Sequence, residues 1–432
     1  MESKRLSSPK TSRPKMNMNA VRMPNAIIVC TMYAMNATEV LRAAYLILLT
    51  FVSYRINYNM ATLTLCMIVK NEQSLLPRCL TSAQGIYDEL IIVDTGSTDN
   101  TIRIARKFTR HVHRFKWIDN FAAARNASFS YASGDYLMWL DADDVIEPPM
   151  RDLIIALKQT LGTPEYAPEI VAMRYSLGKD FYSTRGRLFK RSCAHRWVDE
   201  IHEHIPLIGD VHVRPDIYIT HKPNISNSSP FIKGGDASAS GVFSKRDRNL
   251  RIYERILARD GALSPRGKYY YARELREHGR LAESAKYFEL FLNENLGWVE
   301  DNIAACFNLS AVQTSLNKPD LALSTLFRSF EYDAPRAEIL CMIAYHYMPT
   351  DPARAALWFE TALNLPKRES LGFVLADFHT FIPALELAVC HDRLGNPSRA
   401  QHFNNLAGTI HPTHPSYLQN KEYFSNKLFP LS

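Results

Sequence analysis

The apolar positions of this chain fall into two regimes. Between residues 62 and about 225 they form short, dense runs that each stop at a polar turn, and from about residue 268 they recur at helical spacing. The first run, residues 62–69, is rich in β-formers and stops at Lys70-Asn71-Glu72, after which residues 75–83 show helical spacing. The second, residues 89–93, stops at Asp94-Thr95-Gly96-Ser97-Thr98-Asp99; residues 101–108 read as the helix that follows, with Asp99 or Asn100 as N-cap. The third, residues 136–140, ends abruptly in Asp141-Ala142-Asp143-Asp144. Residues 171–175 and 217–221 read as further strands. Strand, polar turn, helix, strand is the pattern of βαβ units, so the first regime predicts an α/β domain with a mostly parallel, Rossmann-like sheet.

That prediction gives the turns a chemical meaning. In such sheets ligands bind beyond the carboxyl ends of the strands, which places Asn71/Glu72, Asp94 to Ser97 and Asp141/Asp143 on one edge. Residues 141 and 143 are two apart, so in extended backbone they point to the same side. Two neighbouring carboxylates are costly unless a cation joins them, and a hard divalent ion such as Mg²⁺ or Mn²⁺ meets that need. A lone D-x-D also fits a solvated strand-to-turn junction; three strand ends converging on one edge are not explained by core packing. Gly96 lets backbone come close to a ligand.

In the second regime four motifs recur, Gly279-Arg280-Leu281-Ala282-Glu283-Ser284, Asn317 to Ala322, Thr350 to Ala355 and Gly395 to Ala400. Each is a turn signal with a small residue five positions on (Ser284, Ala322, Ala355, Ala400) and then an aromatic (Phe288, Phe327, Phe359, Phe403). The small residue suits close approach of paired helices, and the spacing is similar to tetratricopeptide repeats, whose unit is ~34 residues. Stacked pairs build a concave surface suited to a peptide or partner protein, while a plain helical support or a homodimer interface is the simpler reading.

Composition adds limits. A chain of 432 residues holds two or three domains. Of its net charge of +7, nearly all sits in residues 1–59, with eight Lys/Arg against two Glu, so the remainder carries no basic patch that points to nucleic acid. Seven scattered cysteines without C-x-x-C favour reduced thiols and a cytoplasmic setting. Residues 43–52 are strongly apolar but shorter than the ~20 residues a membrane span needs. Residues 1–59 are therefore expected to be a poorly ordered or non-native extension ahead of a start at Met60, or a peripheral membrane anchor at most. The domain boundaries expected are 60–225 for the sheet domain, 226–265 for a linker or lid with a connecting helix, and 266–432 for the helical array.

Four segments in order, 68–72 (Ile-Val-Lys-Asn-Glu), 92–101 (Ile-Val-Asp-Thr-Gly-Ser-Thr-Asp-Asn-Thr), 120–126 (Asn-Phe-Ala-Ala-Ala-Arg-Asn) and 140–144 (Leu-Asp-Ala-Asp-Asp), resemble the family 2 glycosyltransferases of GT-A fold. The layout of such a domain followed by helical repeats is similar to bacterial enzymes that modify peptides. The resemblance implies that Asn71, Glu72, Asp94, Gly96 and Ser97 hold the nucleotide of a nucleotide-sugar donor. It implies that Asp143, with Asp141, anchors the diphosphate through Mn²⁺ or Mg²⁺. Arg125 lies close to the donor on this reading, or else has structural work with Asp94 or Asp141. Arg187, in an R-L-F piece, is assigned to the donor as well. An inverting mechanism follows from the same family and needs a base. Glu203 is the first candidate, with Asp199 and Glu200 as rivals and His202 as a group orienting base or acceptor. His221, at the end of its own β-run, is a candidate third metal ligand, since imidazole suits Mn²⁺. The absence of helical H-E-x-x-H spacing argues against a zinc protease, and the absence of a Gly-rich phosphate loop against a nucleotidyltransferase. The expected function is a metal-dependent hexosyl transfer from a nucleotide sugar, UDP-linked foremost, to a peptide Cys or Ser or a cell-surface glycan precursor. The alternative is an inactive transferase-like scaffold whose repeats bind a protein partner.

Overall fold

The computed structural model describes residues 60–178, 181–223, 242–366 and 372–428. The expectations for residues 1–59, and for the part of the 226–265 linker or lid that precedes residue 242, lie outside the described residues.

Strands β1 (Leu63–Val69), β2 (Glu89–Asp94), β3 (Val112–Arg114) and β4 (Tyr136–Trp139) form the parallel part of a sheet in the order β3-β2-β1-β4. It continues as β7-β6-β8-β5, built from β5 (Asp144–Val145), β6 (Ile170–Gly178), β7 (Phe181–Lys190) and β8 (Val211–His221), with mixed pairing. The period-2 alternation of the runs is realised on two faces. Leu63, Leu65, Met67 and Val69 of β1 join one core cluster with helices α1 (Leu76–Ser82) and α4 (Pro148–Thr160). Cys66, with Ile91 and Val93 of β2 and Trp139 of β4, joins the opposite cluster with helix α3 (Phe121–Ser130). Helix α2 (Thr101–Ala105) follows β2 and buries Ala105 in the first cluster. Runs apolar on both faces need helices on both faces, and βαβ crossovers supply them.

The helical half comprises α5 (Val242–Asp260), α6 (Pro265–Glu277), α7 (Leu281–Glu294), α8 (Val299–Ser315), α9 (Pro319–Arg328), α10 (Ala337–Tyr347), α11 (Pro352–Leu363), α12 (Phe381–Arg393), α13 (Pro397–Ile410) and α14 (Pro415–Leu428). Consecutive helices pair as hairpins, α6 with α7, α8 with α9, α10 with α11 and α12 with α13. The small residues sit where the repeat reading puts them: Ser284, Ala322, Ala355 and Ala400 are all buried. The Ser284 hydroxyl donates to the Ala272 carbonyl at 2.7 Å across its hairpin. Phe288, Phe359 and Phe403 are buried as well, whereas Phe327 is 37% exposed. Three of the hairpin turns use left-handed backbone, at Gly279, Asn317 and Gly395, and the fourth is replaced by Asp351 capping α11 through the Arg354 N–H. Among the described residues no helix is long and apolar enough to cross a membrane.

The halves are joined at residues 199–204. Asp199 accepts from the Ser264 hydroxyl at 3.0 Å, and Glu200 is paired with Arg255 and Arg259 of α5. Ile201 is buried among the helices. His202 meets the Glu274 carboxylate of α6 at 3.1 Å and stacks on the Tyr270 ring at 4.2 Å, while the Asn249 side-chain amide donates to the same Glu274 oxygen at 3.0 Å. Asp199 and His202 both adopt positive φ, a conformation worth holding only where surroundings over-determine it. Asp199 and His202, sequence candidates for base and orienting group, thus spend their polar atoms on the joint; the reason is that α5 and α6 press on this loop from the far end of the chain. A second joint is β9 (Val374–Leu375), which pairs with β7 at Phe181 and Tyr182.

Burial drives the pKa of His202 below 6.5, with Glu274 offsetting only part of it. A histidine depressed on folding costs stability once it must charge, so the melting temperature should fall as pH drops below about 6.5. Replacing Glu274→Ala should cost about 1–3 kcal/mol in urea unfolding. Identical unfolding curves for wild type and Glu274→Ala would show that the joint carries no load.

Candidate active site

The parallel register pairs Val69 with Asp94, so the ends of β1 and β2 are level. Asp94 is 3% exposed and accepts the backbone N–H groups of Gly96 at 3.0 Å and Ser97 at 3.1 Å. Gly96 has φ +107°, which an L side chain rarely tolerates. Asn71, itself at φ +57°, accepts the Thr98 N–H at 2.8 Å, and its own N–H donates to the Ser97 hydroxyl at 3.0 Å. The Glu72 N–H donates to the Thr101 hydroxyl at 2.7 Å. The two rim loops are therefore laced together by their own polar groups. Asp94, assigned by resemblance to the nucleotide, is turned inward to hold its turn, and Asn71 and Gly96 form the exposed edge of the rim.

The acidic turn after β4 is organised by two arginines. Helix α3 starts at Asn120, whose side chain accepts the Ala123 N–H at 2.8 Å, and this start aims Arg125 under the turn. Arg125 donates to Asp141 at 2.8 Å and to Glu203 at 2.7 Å, with its guanidinium packed on the rings of Trp139 and Trp197. Arg125 thus has the structural role with Asp141 that the sequence left open. Burial opposes the charge of Asp141, but Arg125 overcomes it and holds the carboxyl below its ordinary pKa. Arg187 is fully buried, where the resemblance put it at the donor. It donates to the Asp144 carboxylate and to the Trp139 carbonyl, both at 3.1 Å, and lies 3.8 Å over the Trp139 ring. It reaches the site only through Asp144, because β7 buries it beneath the turn.

The antiparallel register of β5 and β8 pairs Asp144 with His221. The ligand atoms of Asp143, Asp144 and His221 consequently lie within 4.8 Å of one another. Asp144 stands here where the sequence pointed to Asp141, whose carboxylate is occupied by Arg125. His221 Nδ1 is 3.6 Å from Asp143 and 2.9 Å from the Tyr175 hydroxyl. Burial works against a charge on His221, yet Asp143 and then Asp144 and Asp141 raise its pKa above 6.5. Asp144 Oδ1 is buried with no hydrogen-bond partner among the described residues, and burial raises the Asp144 pKa against the opposing Arg187. A divalent cation would relieve each of these conditions, and a set of two carboxylates and one imidazole suits Mn²⁺ or Mg²⁺. Asp144 and Tyr175 are site residues that sequence reasoning passed over. Asp144 was visible as the third acid of its motif, but its pairing with His221 had no local signal.

Replacing Arg187→Met should destabilise the fold by about 3–5 kcal/mol by leaving Asp144 buried and unpaired. The double variant Arg187→Met/Asp144→Leu should recover much of that loss in chemical denaturation. A single variant as stable as wild type would show the pair to be idle.

Residues 64–181 match the description of glycosyl transferase family 2. A TPR repeat-containing protein of Synechococcus elongatus is 38% identical over 145 residues, 33% of this chain and 35% of that protein. The SPbeta prophage-derived glycosyltransferase SunS of Bacillus subtilis is 25% identical over 238 residues, 54% of this chain and 53% of SunS. The chain thus spans about a third of the first relative's length and about half of the second's. Among solved structures, YrrB, a TPR protein with an unusual peptide-binding site, aligns with 42% of this chain and 85% of its own at 18% identity, with a TM-score of 0.33. Residues 64–181 are thus similar to the glycosyltransferase family 2, and a stack of helical hairpins follows them.

Proposed function

We propose that the protein transfers a sugar from a nucleoside-diphosphate donor, UDP-linked foremost, to an acceptor nucleophile with inversion at the anomeric carbon. The observation that carries this reading is the cluster of Asp143, Asp144 and His221 at the strand-end rim of a family 2 domain. These three residues would hold Mn²⁺ or Mg²⁺. When bound, the ion supplies Lewis-acid stabilisation of the charge that builds on the departing diphosphate.

The acceptor nucleophile forms its bond to the anomeric carbon as the bond from that carbon to the diphosphate oxygen breaks. The diphosphate leaves with the electron pair, and the acceptor proton passes to a base. Glu203 is the base on this reading. Its Oε1 takes the Arg125 Nε–H at 2.7 Å. Arg125 fixes Glu203 relative to Asp141, so base and acidic turn keep one geometry. The Asn71/Gly96 edge receives the nucleotide. The helical hairpins that abut the 199–204 loop favour a peptide acceptor, a Cys or Ser side chain, over a glycan precursor. A cytoplasmic setting, where nucleotide sugars are made, belongs to the same reading.

The purified chain, given Mn²⁺ or Mg²⁺ and a panel of nucleotide sugars, should show metal-dependent donor hydrolysis. Asp143→Ala should reduce that signal by roughly 10²-fold or more, a loss typical of removed charge stabilisation. Glu203→Gln should spare donor binding while cutting turnover by roughly 10²–10⁴-fold. Neither binding nor hydrolysis of any donor would rule out the transferase and leave the scaffold reading, in which the hairpins bind a protein partner.

A further inference from the structure

Arg185 and Arg273 are guanidinium groups with no carboxylate within ion-pair distance among the described residues. Arg185, on β7, lies over the Tyr175 ring at 4.3 Å and makes no hydrogen bond or ion pair among the described residues. Arg273, on α6, lies 5.4 Å from the Tyr270 ring and 5.7 Å from the Tyr269 ring and is likewise unpaired. Three neighbouring arginines each have a carboxylate partner: Arg125 has Asp141 and Glu203, Arg187 has Asp144, and Arg266 has Asp301. Burial lowers the Arg185 pKa, so its charge is held at a cost. A half-buried guanidinium without an acceptor is expensive, and an anionic ligand removes the expense.

Their surroundings say which anion. Arg185 lies in the electrostatic field of Asp141 and Arg187 on the rim side and of Tyr270 on the helix side. Arg273 packs on Tyr270 and acts on His202, the neighbour of Glu203 in sequence. Arg185 therefore sits one ring from the acidic turn, over Tyr175, whose hydroxyl is 2.9 Å from His221, and Arg273 sits one ring from the joint, beside Tyr270, which stacks on His202. The helix cannot drift from it, since Glu274 and Tyr270 grip His202.

Resting on the transferase reading, we propose that Arg185 and Arg273 bind the donor diphosphate, so that the first helical hairpin supplies part of the donor site. Two planar forks suit adjacent phosphate oxygens, and they neutralise charge that a single divalent cation leaves over. An anionic acceptor would present the same chemistry, and the ligand panel separates the two sources.

The test is calorimetric titration of the full chain with UDP, GDP and ADP, with the matching monophosphates, and with inorganic pyrophosphate, each with Mn²⁺. Arg185→Gln and Arg273→Gln should each weaken the preferred nucleoside diphosphate and pyrophosphate by roughly 10- to 100-fold, the loss of a charge-assisted hydrogen bond. The monophosphate should shift by less than about 3-fold, since the lost contact is to the second phosphate. Arg185→Lys should recover part of the affinity. Diphosphate binding unchanged in both variants overturns this inference alone, as does monophosphate affinity falling in step with diphosphate, which would mark a folding defect. Wild-type protein that binds pyrophosphate but no nucleoside diphosphate overturns the donor assignment together with the transferase reading.

Discussion

The bridge made by Arg125 is the interaction on which the site depends. One guanidinium joins Asp141, which follows β4, to Glu203, 78 positions beyond Arg125 in the chain. Trp139 and Trp197 pack against the guanidinium, which shields the arginine from water and strengthens its charge interactions. Each carboxylate is tolerable at this depth because the arginine is there, and the arginine is tolerable because both carboxylates are. Helix α3, the acidic turn and the 199–204 loop are thereby held as one unit.

The three aspartates of the turn are treated differently by their surroundings, and the difference decides what each can do. Asp141 is neutralised by Arg125. Asp144 is buried against Arg187, with one oxygen left unsatisfied by the described residues. Asp143 faces His221 across 3.6 Å and, unlike Asp144, keeps part of its side chain open to solvent. Identical side chains thus serve as a strut, a buried donor and an outer donor. The field they create raises the His221 pKa and draws positive charge to the same spot.

The helical half is not an appendage. It contributes a strand to the sheet through β9 and clamps the loop that carries Glu203. Two residues of that loop hold left-handed backbone, at a cost of about 1–3 kcal/mol each that the contacts from α5 and α6 offset. Loss of the first hairpin would therefore reach the acidic turn through Glu203 and Arg125. Whatever the later hairpins bind, they are mechanically linked to the rim.

Local pattern carried a good share of this. Alternation along residues 62–69, 89–93 and 136–140 required a two-faced sheet, and the polar stops at Asn71, Asp94 and Asp141 required a common rim, because side-chain direction in a strand repeats every two residues. Small residues at 284, 322, 355 and 400 required close-packed helix pairs for the same kind of local reason. Only tertiary structure decided the partners. Whether Asp141 or Asp144 stands beside His221 depends on the register of β5 against β8, and β5 is two residues long, too short to leave a periodic trace. Whether Arg125 or Arg187 faces a ligand depends on which is covered, and that is set by rings and carboxylates up to 78 positions away. His202 and Asp199 read as catalytic because they are polar and clustered. Folding gives them to Glu274 and Ser264 instead, since pairings across more than 60 residues leave no mark on the local order of side chains.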